Sequence, residues 1–190
     1  WAVRWEAIDA LEKIDHLDVI PTIGKALKDE NEDVKRAAVI APGKIGNPKA
    51  IPIMAKELSH GNLSVRLETA TSLGKIGNPK AIPHSIKALA DEEGSVRWQS
   101  AKALGEIGHS DAIPHLIISL GDRDDLVRKN AKLALTKIGS DAIPHLVQAL
   151  EEEDVKIEVI KAICEMDHYD DIPQVIKQMG DEPEYITKGA

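Results

Sequence analysis

Along the chain, apolar residues recur at helical spacing in short blocks, each opened by an isoleucine followed by a proline. The prolines of these pairs stand at Pro21, Pro52, Pro83, Pro114, Pro144 and Pro173, at intervals of 31, 31, 31, 30 and 29 residues. A second marker, Val followed by Arg or Lys, falls at Val3, Val34, Val65, Val96, Val127 and Val155, spaced by 31 residues four times and then by 28. Two independent markers that keep one period predict a tandem repeat of about 31 residues.

Each unit reads as two helices. The first, as in the segment AIPHLIISL from Ala112 to Leu120, carries apolar residues on one helical face. Its entry has start chemistry: Asn47-Pro48 and Asn78-Pro79 put an Asn cap before a proline, and Ser110-Asp111 and Ser140-Asp141 offer equivalents. The proline of the Ile-Pro pair then either kinks this helix or marks its true start. After a short polar loop, the second helix runs from the Val to an Ile-Gly pair, at Gly46, Gly77, Gly108 and Gly139. Glycine there takes the left-handed conformation that closes a helix. Pro42 is expected to interrupt one of these second helices.

A helix pair this small cannot bury its apolar face alone, so stacking of neighbours has to supply the core. The expected fold is all-α, a right-handed α-α superhelix of stacked antiparallel helix pairs in a single domain over residues 1–190. Residues 1–15 read as a partial repeat, 16–167 as repeats, and 168–190 as a fading C-terminal unit in which Gly180 and Pro183 follow Pro173. The chain opens on Trp1, inside a second helix, and is expected to be a fragment or a processed product. Its open apolar N-terminal end is then a candidate for self-association.

Composition sharpens this picture. No Phe is present, and only three Trp and two Tyr, so the core must be built from Ile, Leu, Val and Ala in closely approached helices. The net charge of −8 argues against a general grip on nucleic acid or an anionic membrane. No apolar run approaches the roughly 20 residues of a membrane span. One cysteine, Cys164, excludes an internal disulfide framework and fits a reducing compartment, so a cytoplasmic location is expected.

The segment VRWQSAKALGEIGHSDAIPHLIISL, from Val96 to Leu120, resembles the short HEAT-like repeats of the phycobilin-lyase type, and the resemblance extends over essentially the whole chain. It implies an α solenoid whose second helices line the concave side and carry the partner contacts. The residues agree. In each second helix the Val, the small pair after it and the later Leu and Ile read as core, while positions two, three, six and ten beyond the Val vary. Position two holds Trp5, Arg36, Leu67, Trp98, Lys129 and Ile157, and position six includes Thr71, Lys102 and Leu133. Tryptophan beside Arg or Lys where a solvated face prefers polar residues is the composition of interface hot spots. The expected partner-binding set is Trp5, Arg36, Leu67, Thr71, Trp98, Gln99, Lys102, Lys129 and Leu133, and the expected partner is another protein or a peptide segment.

Catalytic chemistry finds little footing. His84, His115 and His145 follow the repeat prolines and stack in register, but helices packed about 8–10 Å apart do not bring imidazoles to the roughly 2 Å bonds of a shared zinc. A solvated ladder is expected, with no metal and no cofactor. One enzyme family built on the same repeat, deoxyhypusine hydroxylase, binds iron through adjacent His-Glu pairs, and no His here is followed by Glu. Cys164 stands where other units have Gly43, Gly74, Gly105 and Thr136, so it reads as a small core residue; His168 is its one nearby base. The Arg or Lys after each Val and the loop acids Asp29, Asp91 and Asp122 are expected to pair between neighbouring units. The function expected is a non-catalytic binding scaffold. The resemblance supplies the alternative, a bilin lyase or isomerase-like subunit handling a tetrapyrrole.

Overall fold

The computed structural model describes residues 1–14 and 19–166. These form eleven α-helices: α1 (Ala2–Glu12), α2 (Val19–Ala26), α3 (Glu32–Ile45), α4 (Ile51–His60), α5 (Leu63–Ile76), α6 (Ile82–Ala88), α7 (Gly94–Ile107), α8 (Ile113–Ser119), α9 (Asp125–Ile138), α10 (Ile143–Ala149) and α11 (Lys156–Cys164). Even-numbered helices are the first helices of successive units, and odd-numbered ones the second. The features read at Pro173, Gly180 and Pro183 lie outside the described residues.

The start of each unit is built differently from its simplest reading. Asn47 and Asn78 do act as caps, accepting from the backbone N–H of Lys49 and Lys80 at 3.0 Å. What they cap is a single 3₁₀ turn, Pro48–Ala50 or Pro79–Ala81. The α-helix begins one turn later, with Pro52 and Pro83 in its opening turn, where a missing N–H costs nothing. The Ile-Pro pair therefore starts the helix and does not kink it. In the later units Ser110 and Ser140 are not the caps. His109 Nδ1 accepts from the N–H of Asp111 at 3.3 Å, and Gly139 takes the cap position with no side chain to offer.

Second helices end on glycine, as expected. Gly46, Gly77 and Gly108 adopt left-handed backbone with φ of 70°, 63° and 68°. Gly139 departs, with φ 86° and ψ −147°, a region essentially restricted to glycine. The interruption expected at Pro42 is absent: α3 runs unbroken from Glu32 to Ile45 with Pro42 buried inside it. Pro42 fills the place held by the fully buried Leu73, Leu104 and Leu135, and that burial offsets the hydrogen bond its missing N–H denies the helix.

The core falls into two clusters bridged by the partly buried Ile107. One cluster runs from Ile8 to Val96, a second from Ile82 to Met166, and they overlap around α6 and α7. Small residues set the spacing of the second helices. A Cβ added to Gly43 would lie 2.7 Å from Ser72 Cβ, one on Gly74 2.9 Å from Ala103 Cα, and one on Gly105 2.7 Å from both Cα and Cβ of Ala134. First helices stand further apart. Grooves of about 450 Å³ between α2 and α4, 220 Å³ between α4 and α6, and 200 Å³ between α6 and α8 open on that side. From α3 to α9 the stack is pinched along the second helices and parted along the first, and such a stack curves with the pinched row inside, which puts these second helices on the concave wall.

Charged rungs fix the loops. Arg4 Nε lies 2.7 Å from Asp29 Oδ2, Arg66 Nε 2.9 Å from Asp91 Oδ2, and Arg97 Nε 2.8 Å from Asp122 Oδ2, each pair joining a second helix to the loop of the next unit. The rung is missing where Lys35 and His60 stand in these places; Lys35 pairs instead with Glu32 in its own helix at 2.7 Å. Asp29 is held below the usual carboxylate range by the N–H of Asn31 and by Arg4. At Asp122, burial pushes the carboxyl up, but the bonds from Arg97 and the N–H of Asp124 outweigh it and leave the group lowered. A carboxyl whose folded pKa lies below its unfolded value stabilises the fold above that unfolded value, and the stabilisation is lost as pH falls through the folded one. Thermal unfolding midpoints are therefore expected to hold steady down to about pH 4, the unfolded Asp value, and to fall below it. Asp122→Asn is expected to flatten this acid slope. An unchanged slope in that variant refutes the role of Asp122.

Candidate partner-binding face

The variable positions of the second helices project from the concave wall. Trp5 is 42% exposed and Leu133 44%, while Leu67, Thr71 and Trp98 are half-buried. Lys102 and Lys129 are exposed. Thr71 turns its hydroxyl back to donate to Leu67 O at 3.0 Å. Arg36 reaches across to the next helix, with Nη2 3.4 Å from Glu68 Oε1. That pair sets the register: position two of one second helix abuts position three of the next.

The same register removes Gln99 from the accessible face. It is position three of α7, it is 4% exposed, and its Nε2 has no hydrogen-bond partner among the described residues. Gln99 belongs to the seam between α5 and α7, and the surface carried by α7 is Trp98 and Lys102. Cys164 departs from expectation in the opposite direction. It is exposed at the end of α11, because the glycines it replaces are buried by a following second helix and none follows α11 among the described residues.

A groove between α9 and α11 went unread in the sequence. It has a volume of about 320 Å³ and is lined by Leu133, the cations Arg128, Lys129 and Lys132, and the carboxylates Asp125, Glu158 and Glu165, with Lys132 Nζ 2.8 Å from Glu165 Oε1. Its origin is nonetheless written in the residues. Thr136 occupies the slot of Gly43, Gly74 and Gly105, and a residue with a Cβ there prevents the close approach that those glycines permit. Ile157, 68% exposed on α11, extends the apolar surface beyond the groove.

The histidines of the first helices stay on the opposite side. His115 and His145 are exposed and His84 is half-buried; His145 Nδ1 lies 3.3 Å from Asp141 O. Among the described residues no group of three or more His, Cys, Asp or Glu comes together to hold a metal ion, and no helix is long and apolar enough to cross a membrane. His168 lies outside the described residues.

Comparison with known proteins agrees with this architecture. A family model for HEAT repeats matches residues 1–58, 52–136 and 82–163. Among solved structures, the complex of CpcE and CpcF of phycocyanin lyase from Nostoc sp. superposes with a TM-score of 0.61 at 22% identity, over 94% of this chain and 88% of that one. The Escherichia coli protein YibA gives 0.58 at 22% identity, over 94% and 77%. An engineered protein gives 0.58 at 20% identity, over 90% of both chains. At these identities the likeness is one of fold. No curated protein matches the chain.

Proposed function

The chain belongs to the HEAT-repeat family, and on that premise we propose that it is a non-catalytic scaffold that binds another protein or a peptide segment along its concave face. The observation that carries this reading is the strip formed by Trp5, Leu67, Trp98 and Leu133. Trp5, Leu67 and Trp98 recur at position two of their repeats, Leu133 stands at position six one turn along the same face, and all four keep exposed surface. Aromatic anchors rimmed by cations are the usual centre of interface binding energy. A curved stack places such anchors on successive rungs, so one extended segment meets several of them together.

The test is a titration of partners captured on the immobilised chain. Trp98→Ala combined with Trp5→Ala is expected to weaken binding at least about 30-fold, the effect of losing a hot spot of roughly 2 kcal/mol, with the circular dichroism spectrum unchanged. Wild-type affinity in the folded double variant refutes the placement. The bilin-handling alternative draws on the resemblance of the repeat and on a likeness of fold to a phycocyanin lyase subunit, which at 22% identity carries no activity to this chain. Mixing the protein with a bilin and following the visible absorption band separates the two readings.

A further inference from the structure

We infer that the segment bound on the concave face is acidic, with Asp or Glu flanking an apolar side chain; this rests on the scaffold reading above. The chain as a whole carries −8, yet that charge is unevenly placed. The loops joining first to second helices hold Asp29, Glu30, Asp91, Glu92, Asp122 and Asp124. The concave wall has the opposite balance in its central part, from α5 to α9.

Toward the N-terminal end the cations of the wall are neutralised within the chain. Lys13 pairs with Asp9 at 2.9 Å, Lys44 with Glu12 at 2.8 Å and Arg36 with Glu68 at 3.4 Å. From α5 to α9 the pattern changes. Lys75, Lys102, Lys129 and Lys137 are all exposed, and none forms an ion pair among the described residues. Glu106 is the one carboxylate at positions two, six or ten of these three helices. Lys102 stands one turn from Trp98 on the same face of α7, and Lys129 takes the position of Trp98 on the adjacent helix, about 8–10 Å away.

An apolar anchor with unpaired ammonium groups around it is complementary to a peptide whose apolar side chain is flanked by carboxylates. A nucleic acid strand also offers negative charge and a stacking surface. Its charge is continuous, however, so its backbone on leaving the wall meets the acidic loops, whereas a peptide can place its carboxylates over the lysines alone.

The probe is a random peptide library displayed against the immobilised chain, against the variant Lys102→Glu plus Lys129→Glu, and against Trp98→Ala. Sequences selected by the wild type are expected to be enriched in Asp and Glu around an apolar residue. The same peptides, titrated by fluorescence anisotropy, are expected to bind the charge-reversed variant about tenfold more weakly or worse, and that variant is expected to select Lys- and Arg-containing peptides instead. Absence of acid enrichment on the wild type overturns the inference. So does a deoxythymidine oligonucleotide that displaces the selected peptides at lower concentration than they displace one another. Peptides that depend on Trp98 but ignore charge overturn the inference and leave the scaffold reading standing. Acidic peptides that bind Trp98→Ala as well as wild type overturn the placement of the concave site itself.

Discussion

Gly105→Val is expected to lower the stability of the chain by about 3 kcal/mol or more, at the upper end of overpacking effects. A single Cβ at this position would already lie 2.7 Å from the Cα and Cβ of Ala134, and part of that obstruction is backbone, which no rotamer change relieves. Valine adds two branches to the same space. Relief requires α7 and α9 to move apart, and that movement opens the core shared by Leu104, Ala131 and Leu135. The modest gain in helix propensity from removing glycine does not offset this. In a stack held together by nearest neighbours, a weakened interface also uncouples the two sides. Denaturant unfolding is accordingly expected to lose its single sharp transition and to split into two. The control is Thr136→Val, the equivalent place on α9, where no close helix has to be displaced; its cost is expected to stay below about 1.5 kcal/mol. Equal stability of wild type and Gly105→Val refutes the close approach of the second helices.

Arg97→Ala has the second largest expected effect, about 3–5 kcal/mol, the range for breaking a buried ion pair from one side. The guanidinium is gripped on three sides. Nε and Nη2 donate to the two oxygens of Asp122, each at 2.8 Å, and Nη1 donates to the carbonyls of Asp91 and Glu92 at 3.0 and 3.1 Å. Side-chain exposure is 7% for Arg97 and 14% for Asp122, so truncation strands a carboxylate with little access to water. Arg4 makes the same pairing with Asp29, but its side chain is 50% exposed, and Arg4→Ala is expected to cost far less than Arg97→Ala. Thermal unfolding of both variants measures the contrast. Equal losses at the two rungs refute burial as the property that separates them.

The repeat was legible because two markers, Ile-Pro and Val-Arg, keep one period through most of the chain, and physical reasons underlie both. The proline sits where a helix start needs no N–H, and the arginine reaches a loop acid of the next unit at each of Arg4, Arg66 and Arg97. Positions two and six were also legible as one face. Gln99 was not, because at 3.6 residues per turn it is rotated about 100° from Trp98, and only the Arg36–Glu68 register shows that this rotation lands in a seam. Pro42 defies its sequence reading because propensity is local, whereas the slot it fills is set by the neighbouring helices. The groove beside Leu133 depends on what faces Thr136, a relation between units that no single repeat contains.

The pinched row of glycine and alanine contacts has a mechanical consequence. The inner helices from α3 to α9, already at their closest approach, act as an incompressible rail, while the grooves among the outer helices leave room for displacement. Bending of the stack is then accommodated on the outer row, and the neutral axis lies along the second helices. Trp98 and the lysines around it keep a constant spacing as the curvature varies, so the concave wall reads distance along a bound segment like the marks of a ruler.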